Sequence, residues 1–260
     1  MKRIWNTLYK VLAVGLLAYA IIYGLTASIP RIALMDQSSR ILFYHVPMWF
    51  TVIVLMTISV VQSIRFLRMI DPDYQAASNP LLADAKAHEA ARVGLLFSVL
   101  GLITGSIWGR VTWKAHMEES LSLYWTNDPI LVCALISALI YMAYFLLRAS
   151  FGEPEQRAKV AAVYNIFAFA TLIPLYFIIP RILPGLHPTA DGSDAGGGSF
   201  VLSSSKAIDN TYRMILYPGA LGFIFMGLWI YELRYRLQFL QIKWENIQAE
   251  KEYLANQNPI

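Results

Sequence analysis

One cysteine stands in this chain of 260 residues, Cys133, and it lies inside an apolar run. A single cysteine excludes an internal disulfide, a Cys-x-x-Cys redox pair and the Cys-x-x-Cys-His signature of covalent heme attachment. Cys133 is therefore expected to pack within a helix. No Gly-x-x-x-x-Gly-Lys-Ser/Thr stretch occurs, so ATP hydrolysis by this chain is not expected. Charge is also scarce: 15% of the residues are Asp, Glu, Lys or Arg, against about 25% in an ordinary soluble domain. The sequence pI is near 9.1. The basic residues are nevertheless scattered through short segments and not gathered on one face, which argues against a nucleic-acid surface.

Apolar residues are in excess instead. They make up 57% of the chain, and the mean hydropathy is +0.49. That balance fits an integral membrane protein, whose apolar surface faces lipid. Six segments, near 8–28, 47–67, 92–109, 129–147, 161–180 and 213–233, are long enough to cross about 30 Å of hydrocarbon as helices. The expected fold is an all-α membrane protein with six transmembrane helices. Met1-Lys2-Arg3 followed by apolar sequence resembles a signal peptide, but the run is too long and lacks a small-x-small cleavage site. It reads as the first span.

An even number of spans puts both termini on one side. Of the 21 Lys and Arg residues, the segments assigned to the outside hold only Arg31, Arg40, Arg110, Lys114, Arg181, Lys206 and Arg213. The inner segments hold the other two-thirds, so both termini are expected in the cytoplasm. Residues 1–234 then form the six-helix domain and 235–260 a cytoplasmic helical tail. Leu233, Leu237, Leu240, Trp244, Ile247 and Leu254 make a heptad-like stripe continuing the sixth helix, with Lys251 interrupting it. The stripe is suited to a cytoplasmic partner or to the membrane surface.

Three outer stretches stand out. The first closes with Phe43-Tyr44-His45-Val46-Pro47-Met48-Trp49-Phe50. Pro47 suits the first turn of a helix, which would put His45 just before the second span. The second runs from Gly105 to Pro129 and holds Trp108, Trp113, Tyr124 and Trp125. The third contains Leu186-His187-Pro188 before a glycine-rich run, whose composition is that of a flexible loop. Taken singly, the aromatic residues fit the belt found where membrane helices meet water, and each histidine fits a solvated or belt residue. Together they put two imidazoles, a set of aromatic faces and the arginines Arg31, Arg40, Arg110 and Arg181 at one membrane surface. Two imidazoles on opposite faces complete the coordination of heme iron, aromatic rings give a porphyrin a stacking surface, and arginine forks suit its two carboxylates. His88, on the other side, reads as an ordinary solvated residue in a short surface helix. Asn165, within the fifth span, is expected to face another helix, because an unpaired amide in lipid is costly.

The combination of Tyr44-His45-Val46-Pro47-Met48-Trp49, the Trp108-Gly109…Trp113…Trp125…Asp128 loop, Tyr164-Asn165 and Leu186-His187-Pro188 resembles the heme exporter protein C family of cytochrome c maturation. The resemblance covers nearly all six spans. It implies a bacterial inner-membrane protein that is not an enzyme. It further implies non-covalent heme at the outer face, with His45 and His187 as axial ligands and Trp108, Trp113, Trp125 and Asp128 in the binding loop. The partners implied are a membrane-anchored heme chaperone, ABC transporter subunits of the maturation system and a small single-span membrane subunit, with no nucleic acid. The family loop is richer in tryptophan and ends Trp-Trp-x-Trp-Asp. Here Tyr124, Trp125, Asn127 and Asp128 stand at the corresponding positions, after an apparent insertion from His116 to Leu123. His116, beside Glu118 and Glu119, is a third outer histidine and reads as a surface residue. Other readings left open are a synthase-type relative that attaches heme itself, a small-solute transporter, and an assembly subunit whose histidines are incidental.

Overall fold

The computed structural model describes residues 2–31, 36–71, 79–112, 125, 128–183, 185 and 209–257. Among these residues every regular element is helical. In order they are α1 (Lys2–Thr26), a 3-10 turn (Asp36–Ile41), α2 (Leu42–Met69), α3 (Pro80–Thr112), α4 (Pro129–Ala149) and α5 (Pro154–Ile173). A π-helical stretch (Pro174–Ile178), the short α6 (Ile179–Ile182) and α7 (Asn210–Gln257) complete the chain. Among the described residues, six helices are long and apolar enough to cross a membrane.

Several helix starts follow from local chemistry. Asp128 caps α4 by accepting from the backbone of Ile130 and Leu131, with Pro129 in the first turn, where a missing N–H leaves no bond unmade. Asn79 does the same ahead of Pro80, accepting from Leu81 N at 2.9 Å. Asp209 accepts from Thr211 N at 2.7 Å at the start of α7. The hydrogen bonds from Thr211 hold the Asp209 carboxyl below the usual carboxylate range.

The helices run alternately up and down, with α2 at the centre against α3, α5 and α7, and α1 outside on α7. Val52, Leu55, Met56, Val93, Phe97, Tyr141 and Tyr144 form the middle of the core. Three glycines let α3 come close to α2. A Cβ on Gly94 would meet Met56 at 2.8 Å, one on Gly101 would meet Trp49 at 2.8 Å, and one on Gly105 would meet His45 at 2.8 Å. Small residues spaced by four are the usual way for membrane helices to approach, because lipid offers no hydrophobic drive between them. Asn165 of α5 is fully buried and donates to Ser59 Oγ at 2.7 Å and Ser63 Oγ at 2.8 Å on α2. The expectation that it faces another helix holds. Cys133 is buried and free, as its apolar surroundings imply.

Three expectations are corrected. The third helix begins twelve residues earlier than the 92–109 span (Pro80 against 92), so the Ala-rich stretch with Asp84, His88 and Glu89 is part of it and not a separate surface helix. That early part is buried, because Ala83, Ala85, Ala87, Ala90 and Ala91 pack against neighbouring helices. His88 is consequently buried, not solvated, with Arg92 Nη2 2.9 Å from its Nε2 and the Phe145 ring beside it. Pro47 does not open a helix: α2 starts at Leu42, and His45 lies inside it.

The α2 C-terminal end of the bundle carries buried charges in partnered sets. Arg148 forks onto Asp84, with Nη1 to Oδ1 at 2.7 Å. Glu89 accepts from Arg92 at 2.7 Å and from Arg234 at 2.9 Å, and Lys10 meets Glu232 at 2.9 Å. Buried ions persist only when matched in this way. Beyond that end α7 continues as one helix through Leu237, Leu240 and Trp244, all exposed.

Candidate functional site

His45 sits at the other end of the bundle, one turn into α2 and buried. Its Nδ1 is 2.9 Å from Thr104 Oγ1 on α3. The Thr104 hydroxyl has a single hydrogen, which it gives to its own helix, to Leu100 O at 2.9 Å or Gly101 O at 3.1 Å. It therefore accepts from the imidazole, so the proton is on Nδ1. The second contact agrees: the indole Nε1–H of Trp49 donates to His45 Nε2 at 3.2 Å. Two neighbours on different helices thus select the neutral tautomer that carries its proton on Nδ1 and its lone pair on Nε2.

Helix geometry brings these groups together. His45 and Trp49 are one turn apart on one face of α2, and Gly101, Thr104 and Gly105 lie on the facing stripe of α3. The imidazole fills the space a Cβ on Gly105 would occupy, and the Trp49 ring fills that beside Gly101. Trp108, one turn beyond Thr104, closes the cradle with its ring centroid 5.9 Å from that of His45. Trp108 is only 3% exposed and packs in a cluster with Ile29, Leu42, Phe43, Tyr212, Ile215 and Leu216. It is a buried wall for the histidine, not an open shelf. The donor set is a neutral imidazole with an oriented lone pair, bordered by tryptophan and without thiol or carboxylate at hydrogen-bond distance among the described residues. That chemistry fits the iron of a porphyrin.

The remaining sequence-based residues divide. Asp128 is buried and its carboxylate caps α4. A Cβ on Gly185 would come within 2.9 Å of Asp128 Oδ2, so Gly185 lies against the cap of α4. Trp125 is half-buried. Trp113, His116, Glu118, Glu119, Tyr124 and His187 lie outside the described residues. Of the arginines, Arg40 gives Nη1 to Gly24 O, Nη2 to Ala27 O and Nε to Gln37 Oε1, each at 2.9 Å. It closes the C-terminus of α1, where cationic donors are favoured, and is not an open carboxylate clamp. Arg31 is exposed and pairs with Asp36 at 3.3 Å. Arg110 stands in the last turn of α3.

The sequence reading missed Thr104, Gly101 and Gly105, and it placed Trp49 in the aromatic belt. The signal was present in Gly101-x-x-Thr104-Gly105, a small-residue stripe of the kind that receives a neighbouring helix. Nothing in that stripe alone says that the neighbour would present His45.

The sequence model of the heme exporter protein C family matches residues 1–250. A heme exporter protein C of Bradyrhizobium diazoefficiens is 28% identical over 167 residues, covering 64% of this chain and 57% of that protein. One of Haemophilus influenzae is 25% identical over 240 residues, or 91% of this chain and 85% of the other. A cytochrome c biogenesis protein CcsA of a Synechococcus strain is 31% identical over 104 residues, which cover 40% of this chain and 31% of that protein. The match thus spans little more than half the length of the Bradyrhizobium protein and most of the Haemophilus one.

Proposed function

The chain belongs to the heme exporter protein C family, and from that premise we propose that it holds heme without a covalent bond and passes it on for cytochrome c maturation. The observation that carries this reading is the His45 imidazole, buried at one end of the bundle among tryptophans, with its proton on Nδ1 and its lone pair on Nε2, where it accepts from Trp49. Heme supplies the iron and two carboxylates. Every other task falls to the chain. Thr104 orients the ligand, Gly105 admits it, and Trp108 walls it off from lipid. His187 would be the second histidine to hold the iron, on the resemblance of Leu186-His187-Pro188. Arg110 faces a porphyrin carboxylate, and Trp113, Trp125 and the residues around Asp128 present the ring.

The end bearing His45 is the outer face of a bacterial inner membrane, with both termini in the cytoplasm. The heme is handed to a membrane-anchored chaperone, and the chain catalyses no reaction of its own. ABC transporter subunits and a small single-span membrane subunit are its companions. Residues 1–234 act as the heme-handling unit and 235–260 as a docking tail. A second reading, direct attachment of heme to apocytochrome, draws on the relatives called cytochrome c biogenesis protein CcsA, the first of which is 31% identical over 104 residues.

The test is an absorption spectrum of the detergent-purified protein from heme-replete cells, oxidised and reduced, beside His45→Ala and His187→Ala. A Soret band with low-spin features, lost in either variant while the protein remains inserted, is the expected result. Normal heme content in both variants would remove the ligand assignment. Cytochrome attachment by this chain without the chaperone would favour the second reading.

A further inference from the structure

Trp49 holds the atom that a metal ligand must expose. The single acceptor on the neutral imidazole of His45 is Nε2, and the Trp49 indole N–H is directed at it from 3.2 Å. The indole is held there from two other sides. The Cε2–Cζ2 edge of its six-membered ring lies over Gly101, where a Cβ would fall 2.8 Å from both atoms. Its ring also meets Tyr176 edge-on, with centroids 5.8 Å apart and planes at 78°. Tyr176 belongs to the π-helical stretch Pro174–Ile178, which leads through α6 towards Gly185 and the third outer segment. π-helical turns often occur where a helix is adapted to a function. Here Pro174 lacks the N–H that would continue a regular ladder.

We propose that Trp49 is a latch on His45: it occupies Nε2 in the ligand-free protein, and heme is bound only as the indole leaves that nitrogen. The inference rests on the reading of His45 as an iron ligand. One lone pair serves either an indole N–H or a metal ion, since metal–nitrogen bonds near 2 Å leave no room for a donor on the same axis. The closed arrangement does two things. It satisfies a buried acceptor that would otherwise lie unpaired at lipid depth, and it lowers the apparent affinity for heme by the fraction of time the ligand is closed. A carrier that must give its cargo away benefits from a group that competes for the ligand. Because Trp49 touches Tyr176, the Pro174–Ile178 stretch is in position to favour one state of the latch.

Two substitutions open the latch from different sides. Trp49→Phe keeps an aromatic ring but removes the donor, and Gly101→Ala puts a methyl group where the indole sits. Neither residue is a proposed iron ligand. Hemin is titrated into the heme-free full-length protein in detergent, wild type and both variants, with His45→Ala as the reference and thermal midpoints as the check on folding. In parallel, diethyl pyrocarbonate labelling of His45 is followed by mass spectrometry with no heme present. Both variants should bind hemin about five- to tenfold more tightly, the ratio expected for loss of one competing hydrogen bond. His45 should also be labelled several-fold faster. Hemin affinity that is unchanged or weaker in the folded variants, or labelling that stays slow, overturns the latch. His45-dependent binding without an effect at residues 49 and 101 overturns the latch alone, whereas hemin binding that His45→Ala does not alter overturns the ligand reading beneath it.

Discussion

Gly105 and His45 are packed so closely that a Cβ on the glycine would lie 2.8 Å from the imidazole Cε1. The contact joins the α2 segment carrying the candidate ligand to the start of the tryptophan-containing stretch. It also explains why a glycine stands in the last part of a helix that otherwise has no backbone need for one.

Gly105→Ala should therefore displace the imidazole without unfolding the bundle. The expected outcome is heme retention reduced by about an order of magnitude, since displacing or disorienting a ligand of this kind typically costs 10–100-fold in affinity. Quantifying the Soret band per inserted protein, beside the wild type, checks this. Full retention would mean that the ring at His45 has room the packing does not show.

Thr104→Val keeps the shape and removes the acceptor of the Nδ1–H. The imidazole loses its Thr104 partner on α3, and the tautomer with the proton on Nδ1 is then favoured by the Trp49 contact alone. Hemin affinity should fall by about tenfold, while Thr104→Ser, which keeps the hydroxyl, should stay near wild type. Equal affinities for the valine and serine variants would remove Thr104 from the orienting role.

Asp128 is a helix cap in this structure, whatever else it does. Asp128→Ala should lower stability by about 1 kcal/mol, the usual loss of an N-cap. Asp128→Asn keeps an acceptor oxygen and should restore most of it. Thermal unfolding in detergent separates the two. Heme hand-over that fails in the asparagine variant despite native stability would show a role for the charge beyond capping.

The Asp84–Arg148 pair is buried and bidentate. Removing one partner, as in Arg148→Met, should cost about 3–5 kcal/mol because a carboxylate is left without its counter-charge. The double variant Asp84→Leu with Arg148→Met should recover most of that. Protein yield and thermal midpoint report both. A double variant as unstable as the single would show that the pair fixes the helix arrangement in a way apolar packing cannot replace.

Leu237, Leu240 and Trp244 are exposed on the extension of α7. Truncation after residue 236, or Trp244→Glu with Leu240→Glu, should reduce co-purification with the partner subunits while leaving hemin binding intact. Undiminished assembly would argue against a docking tail.

Some of this protein was legible from sequence because it depends on composition and length. Six apolar runs of sufficient length, separated by charged or proline-bearing segments, define the six candidate spans whatever their neighbours are. The fourth span was expected to start at 129, where α4 begins, and a buried Asn165 had to find a partner. What lay beyond reach was which helix faces meet. The alanines before residue 92 carry no period strong enough to show that they are buried, so His88 read as solvated until α4 was found against it. Pro47 looked like a helix start because proline is tolerated there, yet the helix begins five residues earlier, continuing directly from the 3-10 turn. Above all, the tautomer of His45 is decided by Thr104, which lies 59 positions away, and by Trp49 on the same face. The sequence determined that a histidine, tryptophans and glycines would be present near one end of a membrane bundle. Only the packing of α2 on α3 decided which nitrogen carries the proton and which side chain covers the other.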